Sequence, residues 1–102
     1  MNAESYGANN VRTSNPTVNT TPSKISTTGK RSLMYVASGD VDLYIKLRKK
    51  GSSAPTISAT NYGRIVAAGD DATILPVGSG IDVWAYSASS TTAVEVTELT
   101  FG

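Results

Sequence analysis

The fold is decided by residues 41–48, which read Val-Asp-Leu-Tyr-Ile-Lys-Leu-Arg. Successive side chains of a β-strand point to opposite faces of the sheet, so a period of two predicts a strand with one buried face. The predicted buried face carries Val41, Leu43, Ile45 and Leu47. The opposite face is polar and aromatic, with Asp42, Tyr44, Lys46 and Arg48.

Short apolar segments separated by turn residues continue from here to the end of the chain, which is typical of an antiparallel sandwich or barrel. We predict six strands, with a shorter extended segment at 56–60, and the strands are 32–37, 41–48, 64–67, 72–77, 81–87 and 93–101. The Gly69-Asp70-Asp71 turn predicts a hairpin between the third and fourth of these strands. The predicted fold class is all-β: a small antiparallel β-sandwich, jelly-roll or immunoglobulin-like, preceded by an extended N-terminal arm.

Residues 1–30 differ in composition, because Asn, Ser and Thr dominate and apolar residues are scattered. Such a segment cannot build a core alone. We therefore predict two parts, an extended polar arm at 1–30 and a β-sandwich domain at 31–102. Composition allows a disordered tail, but an ordered arm would cost about 1 kcal/mol per residue in backbone entropy and would need a partner. We expect strand addition or clamping onto another chain. The candidate contact residues are Tyr6, Val11, Arg12, Val18 and Ile25.

The composition excludes several classes of chemistry. The chain of 102 residues has no His and no Cys, so neither a Ser-His-Asp nor a Cys-His arrangement can form, and the usual zinc ligands are missing. We predict no catalytic residue, no metal site and no cofactor. A formal net charge of +1 gives no general attraction for nucleic acid or an anionic membrane. The first residues do not resemble a signal peptide and no apolar run approaches membrane-spanning length, so we expect neither export by such a signal nor insertion.

Charged residues suggest weaker alternatives. Ca²⁺ ligands around Asp40, Asp42, Asp70 and Asp71 are one alternative, but hairpin turns explain these residues more simply. A carboxylate pair of the glycosidase type is another, and its candidates are Asp40, Asp42, Asp70, Asp71, Asp82, Glu95 and Glu98; we expect these acids to be solvated, in turns or on polar strand faces. The basic cluster Arg48-Lys49-Lys50, with Lys30 and Arg31 as further members, offers contact with phosphate or an acidic partner surface, and a solvated strand end is the simpler interpretation.

The most informative surface is predicted on the strand 81–87. Ile81, Val83 and Ala85 alternate with Asp82, Trp84 and Tyr86. If this strand shares a sheet with 41–48, the aromatic residues of both strands lie together on the outer side. Such a mixture suits a protein interface or a sugar-stacking platform, whereas a Trp packed beneath the arm or a loop is the structural alternative. The candidate contact residues are Tyr44, Lys46, Arg48, Trp84 and Tyr86.

Four segments follow one another from residue 31 onward: the Arg31-led first strand, the strand 42–47, the segment 63–66 and the closing pair of strands at 81–98, which small residues join. Their order resembles that of small phage virion proteins, above all capsid decoration or cement proteins. The layout also fits neck, tail or fibre-base sandwiches of the same virions.

The resemblance implies a compact β-sandwich on the shell of the major capsid protein, often oligomeric, with a terminal extension that reaches neighbouring subunits. The sequence departs from this pattern in charge, because no pronounced acidic or basic face is evident. We expect a non-enzymatic homo-oligomeric protein of the capsid surface that bridges capsid subunits and contacts neither nucleic acid nor membrane. The alternatives are a neck, tail or fibre-associated sandwich or a carbohydrate-binding module that uses Trp84 and Tyr86.

Overall fold

The computed structural model describes residues 10–27, 31–38, 41–69, 73–75, 77–88 and 91–100. The regular elements in these ranges are β-strands: β1 Asn10–Ser14, β2 Thr17–Val18, β3 Ser23–Lys24, β4 Leu33–Ser38, β5 Leu43–Lys49, β6 Arg64–Val66, β7 Thr73–Leu75, β8 Ile81–Tyr86 and β9 Thr92–Thr100. The six strands predicted from the sequence correspond to β4 through β9. The segment at 56–60 contributes only an isolated bridge between Ser58 and Asn61.

The strands form two antiparallel sheets that pack as a sandwich, which confirms the predicted fold class. The first sheet has the order β1-β9-β4-β7, and β2 also pairs with β9. The second sheet has the order β3-β8-β5-β6. Alternate residues of both sheets point inward and are buried, as in Met34 and Val36 of β4 and in Val83 and Ala85 of β8.

The pairing of the strands is that of a jelly roll. Because β1 and β2 both pair with β9, on either side of Asn15 and Pro16, they act as one interrupted strand. With β1 and β2 counted as one, the sandwich has eight strands among the described residues. They pair from the outside inward along the chain: β1 and β2 with β9, β3 with β8, β4 with β7 and β5 with β6. Of the two sandwich types predicted, the strand pairing matches the jelly roll.

The predicted hairpin between 64–67 and 72–77 is wrong, because the two strands lie in different sheets. β6 pairs with β5, and β7 pairs with β4. Val66 and Leu75 are both almost fully buried, one from each sheet. The turn residues at Gly69 favour a hairpin only locally. When the chain crosses from one sheet to the other, both strands bury apolar side chains in the core, and this burial outweighs the preference of the turn for a hairpin.

The described part of the predicted arm is extended, but it is built into the sandwich of its own chain. β1 and β2 pair with β9, and β3 pairs with β8. Val18 is 0% exposed and Ile25 is 3% exposed, so both belong to the core. Composition does not show whether such a polar segment joins a sheet, because the ladder hydrogen bonds of a strand are made by its backbone and do not depend on apolar side chains.

One predicted core residue differs from its neighbours. Leu43 and Ile45 are buried as predicted, whereas Leu47, next on the same inner side of β5, is 48% exposed. β6 pairs with β5 only as far as Ile45, so beyond that point no described strand lies along this edge of β5. The sandwich is therefore open at this corner.

We expect Val18→Ala to lower the free energy of unfolding by about 2 kcal/mol, because it removes two buried methyl groups and leaves a cavity. Val11→Ala is the matched control: Val11 is 45% exposed on β1, and its truncation should cost less than about 1 kcal/mol. Urea unfolding of both variants measures the difference. Equal destabilisation would contradict the placement of the N-terminal strands in the core.

Candidate functional site

The register of β5 and β8 brings the predicted aromatic residues together. Tyr44 lies opposite Tyr86, Lys46 opposite Trp84, and Arg48 opposite Asp82. Since Ile45 and Ala85 on the alternate positions are core residues, these six side chains occupy the outer side of the second sheet. The condition stated for the sequence is therefore met: both strands share a sheet, and their aromatic residues lie on one side of it.

This surface also includes residues that the sequence analysis did not select. Ile65 of β6 lies opposite Tyr44, and Lys24 of β3 lies opposite Trp84. Tyr62 precedes β6 and reaches the same side, with its ring centroid 5.1 Å from that of Tyr44. We call the outer side of the second sheet the aromatic face; it comprises Lys24, Tyr44, Lys46, Arg48, Tyr62, Ile65, Asp82, Trp84 and Tyr86.

Tyr44 is the centre of the ring packing on the aromatic face. Its ring contacts Tyr62 at an interplanar angle of 56°, and it lies 6.2 Å from the Tyr86 ring at 52°. Tilted pairs of this kind suit the quadrupoles of the rings. The three tyrosines therefore present ring edges and faces in alternation and do not form one flat platform.

Tyr62 was missed because its sequence context indicates a turn. It stands between Asn61 and Gly63, and the only signal was its aromatic character. The amide of Gly63 donates to the carbonyl of Ile45 at 2.8 Å, which fixes the end of the loop beside β5. Tyr62 stays 40% exposed and Ile65 38% exposed, so both contribute apolar surface to the solvent side.

Trp84 is partly buried among its strand neighbours. The register places it between Lys24 and Lys46. Its Nε1 is shielded from water and has no hydrogen-bond partner among the described residues. Trp84 thus offers a partner its ring, and its N–H is not presented at the surface.

The exposed charge of the aromatic face is positive. Asp82, its one carboxylate, is buried; its Oδ2 accepts from the amide of Gly51 at 3.1 Å and lies 3.8 Å from Nζ of Lys24. Nζ of Lys46 donates to the carbonyl of Thr56 at 2.9 Å, and Arg48 is exposed. Strand pairing brings these cations together on one face, although the formal net charge of the whole chain is only +1.

The candidate contact residues of the arm occupy different environments. Val18 and Ile25 are core residues, so the structure corrects their assignment as partner contacts. Val11 is half-exposed on β1. Arg12 is partly buried, and its Nε lies 3.7 Å from Oε1 of Glu98. Tyr6 lies outside the described residues.

A buried ion pair closes one end of the sandwich. Nη1 of Arg31 donates to Oε2 of Glu98 at 2.7 Å, and both side chains are almost completely buried. Nε of Arg31 donates to the carbonyl of Val77 at 3.0 Å, and Nη2 donates to the carbonyls of Gly78, at 2.6 Å, and Ile81. The assignment of Arg31 to a solvated basic cluster is therefore wrong. The prediction of solvated acids on polar strand faces is wrong for Glu98, which is 2% exposed, and for Asp82, which is 6% exposed. The alternation with Val94 and Val96 indicates an inward position 98, but no local pattern indicates a buried cation at position 31.

Of the remaining acids that the structure describes, Asp42 has a structural role and Glu95 is exposed. Oδ1 of Asp42 accepts from the amide of Ala68 at 2.8 Å. Asp40, Asp70 and Asp71, which were considered as Ca²⁺ ligands, lie outside the described residues. Within the described ranges, no three Asp or Glu residues converge in a way that could hold a metal ion. In the same part of the chain, no helix has the length and hydropathy to cross a membrane.

Fold and surface together define this molecule as a jelly-roll sandwich with an aromatic, cationic outer face. Comparison of the chain with protein-family models, with curated proteins and with solved structures found no match.

We expect Arg31→Met to lower the free energy of unfolding by about 3–5 kcal/mol, since it leaves Glu98 buried without its main partner and removes a donor from three carbonyls. Arg48→Met is the matched control; Arg48 is exposed, and its replacement should change stability by less than about 0.5 kcal/mol. Denaturant unfolding of the two variants checks the difference. Equal stabilities would show that the buried pair does not hold this end of the sandwich.

Proposed function

We propose that this chain is a non-enzymatic virion structural protein that sits on the capsid surface and stabilises the shell by bridging subunits of the major capsid protein. The aromatic face is the docking surface. The observation that carries the proposal is the concentration of three tyrosines, the single tryptophan and an exposed isoleucine on one side of one sheet, beside exposed cations.

The composition of the aromatic face supports contact with a protein. Tyr, Trp and Arg are the residue types most enriched at protein interfaces and at their energetic hot spots. Tyr62 and Ile65 are exposed enough to lose apolar surface on docking, and Tyr44 is packed against Tyr62, which limits the side-chain entropy lost there. Jelly rolls also serve in viral capsids and in lectins, although this is an analogy of fold and does not itself assign a function.

The size of the aromatic face favours multivalent binding. The strands of this sheet, spaced by about 4.8 Å and rising about 3.3 Å per residue, give a face on the order of 300 Å² in plan. A stable interface usually buries about 800 Å² on each partner. One copy would therefore dock weakly, whereas several copies in one oligomer would gain affinity through effective concentration. This supports a homo-oligomer that spans neighbouring capsid subunits.

The geometry gives less support to a carbohydrate-binding module. Stacking on a sugar requires an open ring face, and a row of sugars requires several such faces in one plane. The Tyr44 ring is tilted by more than 50° to both neighbouring tyrosines, and Trp84 is only partly exposed. A protein surface of complementary shape can pack against these tilted rings better than a row of sugars can.

The direct test is co-sedimentation with empty shells assembled from the major capsid protein of the same virus. We expect saturable binding at a simple ratio of copies to capsid subunits. Tyr62→Ala with Lys46→Glu should weaken binding at least about tenfold, since hot-spot truncations commonly cost more than about 1.4 kcal/mol. Ile74→Ala is the control, because Ile74 is similarly exposed but lies on the first sheet.

Two outcomes would contradict the proposal. The unaltered protein would fail to bind shells at any concentration, or the Tyr62 and Ile74 variants would bind equally well. Saturable glycan binding that Tyr86→Ala abolishes would instead support the carbohydrate-binding alternative.

A further inference from the structure

An apolar groove opens between the edges of the two sheets. β6 and β7, the edge strands on this side, are three residues long each, and the groove between them has a volume of about 610 Å³. Its apolar lining comes from Ile45 and Leu47 of the second sheet and from Leu75 and Val77 on the side of the first sheet. Leu47 is 48% exposed although it lies on the inner side of β5. The groove is thus an open end of the core.

The groove adjoins a free edge of β5. This strand pairs with β8 over 44–49 but with β6 only over 43–45. The amide of Lys50 donates towards β8, to Gly80, whereas the carbonyl of Ile45 accepts from Gly63 on the opposite side. Backbone groups alternate in direction along a strand, so the N–H and C=O of Leu47 point away from β8. No described residue pairs with Leu47 on that side.

Charge determines which strand could occupy this edge. Arg64 lies opposite Ile45 in register and lines the groove; it is exposed, and it has no ion-pair partner among the described residues. Lys46 also lines the groove, and two more lysines follow where β6 no longer pairs with β5, namely Lys49 at the end of the strand and Lys50 after it. Lysines on an edge strand oppose pairing with an identical edge, so a second copy of β5 is disfavoured. An acidic strand is favoured for the same reason.

We propose that this groove binds an extended acidic peptide segment of a partner protein by strand addition to β5. The segment hydrogen-bonds the backbone of Leu47, inserts one apolar side chain against Leu75 and Val77, and pairs a carboxylate with Arg64. This mode combines main-chain hydrogen bonds for affinity with a side-chain pocket for specificity. The groove meets the aromatic face only at Lys46, and the proposal does not depend on capsid binding.

The test is an NMR titration of the ¹⁵N-labelled full chain with capped heptapeptides of the pattern Thr-Glu-Thr-Xaa-Thr-Glu-Thr, which places both Glu side chains and the apolar Xaa on one face of a strand. Xaa is Ala, Val, Leu or Phe. Matched peptides carry Gln or Lys in place of Glu. We expect at least one Glu peptide to bind with a Kd below about 1 mM, the weak end of specific recognition. Its amide shifts should cluster at Leu47, Arg64 and Val77. The Lys peptides should not bind, and proline at the central position should abolish binding by removing a strand donor.

Arg64→Glu and Arg48→Glu are matched variants, because both reverse one exposed charge and only Arg64 lines the groove. Arg64→Glu should weaken the Glu peptide at least about tenfold and allow the Lys peptide to bind, whereas Arg48→Glu should change affinity by less than about threefold. Any of three results would overturn the proposal: no saturable shift with the entire panel, shifts confined to the aromatic face, or equal effects of the two variants.

Discussion

The hydrogen-bonded ion pair of Arg31 and Glu98 holds together the end of the sandwich where the chain passes between the sheets. Arg31 donates to carbonyls at 77, 78 and 81, on the connection from β7 in the first sheet to β8 in the second. Oε2 of Glu98 also accepts from the amide of Thr27 at 3.4 Å, on the connection from β3 to β4. Two charges removed from water are tolerable here because four of the five N–H groups of the guanidinium donate to acceptors among the described residues. Glu98 of β9 therefore holds the connection from β3 to β4 directly, and it holds the connection from β7 to β8 through Arg31.

The position of β8 connects this end of the molecule with the proposed docking surface. The carbonyl of Ile81, the first residue of β8, accepts from Arg31. From that point the register with β5 runs without a break to the pairing of Tyr44 with Tyr86. A displaced β8 would move the aromatic side chains by whole residues, and a shift of one residue would turn them into the core. The hydrogen bond at Ile81 therefore anchors the start of β8, and the register with β5 places the aromatic side chains on the outer side.

The sequence predicted those features that depend on local alternation. The period of two in 41–48 and 81–87 identified the strands, their buried sides and the residues that share the outer side. Three features escaped it because they depend on distant parts of the chain. The arm belongs to the sandwich through backbone pairing with β8 and β9, and 64–67 and 72–77 separate because each buries apolar side chains against a different strand. Arg31 is buried because carbonyls some fifty residues away converge on it. A fourth feature was missed for a local reason: Tyr62 reaches the aromatic face from a loop, where no periodicity applies.

In the proposed function, the aromatic face is the surface that meets the capsid shell. Hydroxyl-radical footprinting in the presence and absence of saturating shells tests it most directly, because aromatic side chains report their own accessibility. We predict protection of Tyr44, Tyr62, Trp84 and Tyr86 in the bound state, with Ile74 on the opposite sheet unchanged. Protection centred on Ile74 and Val11, with the aromatic face still reactive, would contradict the claim.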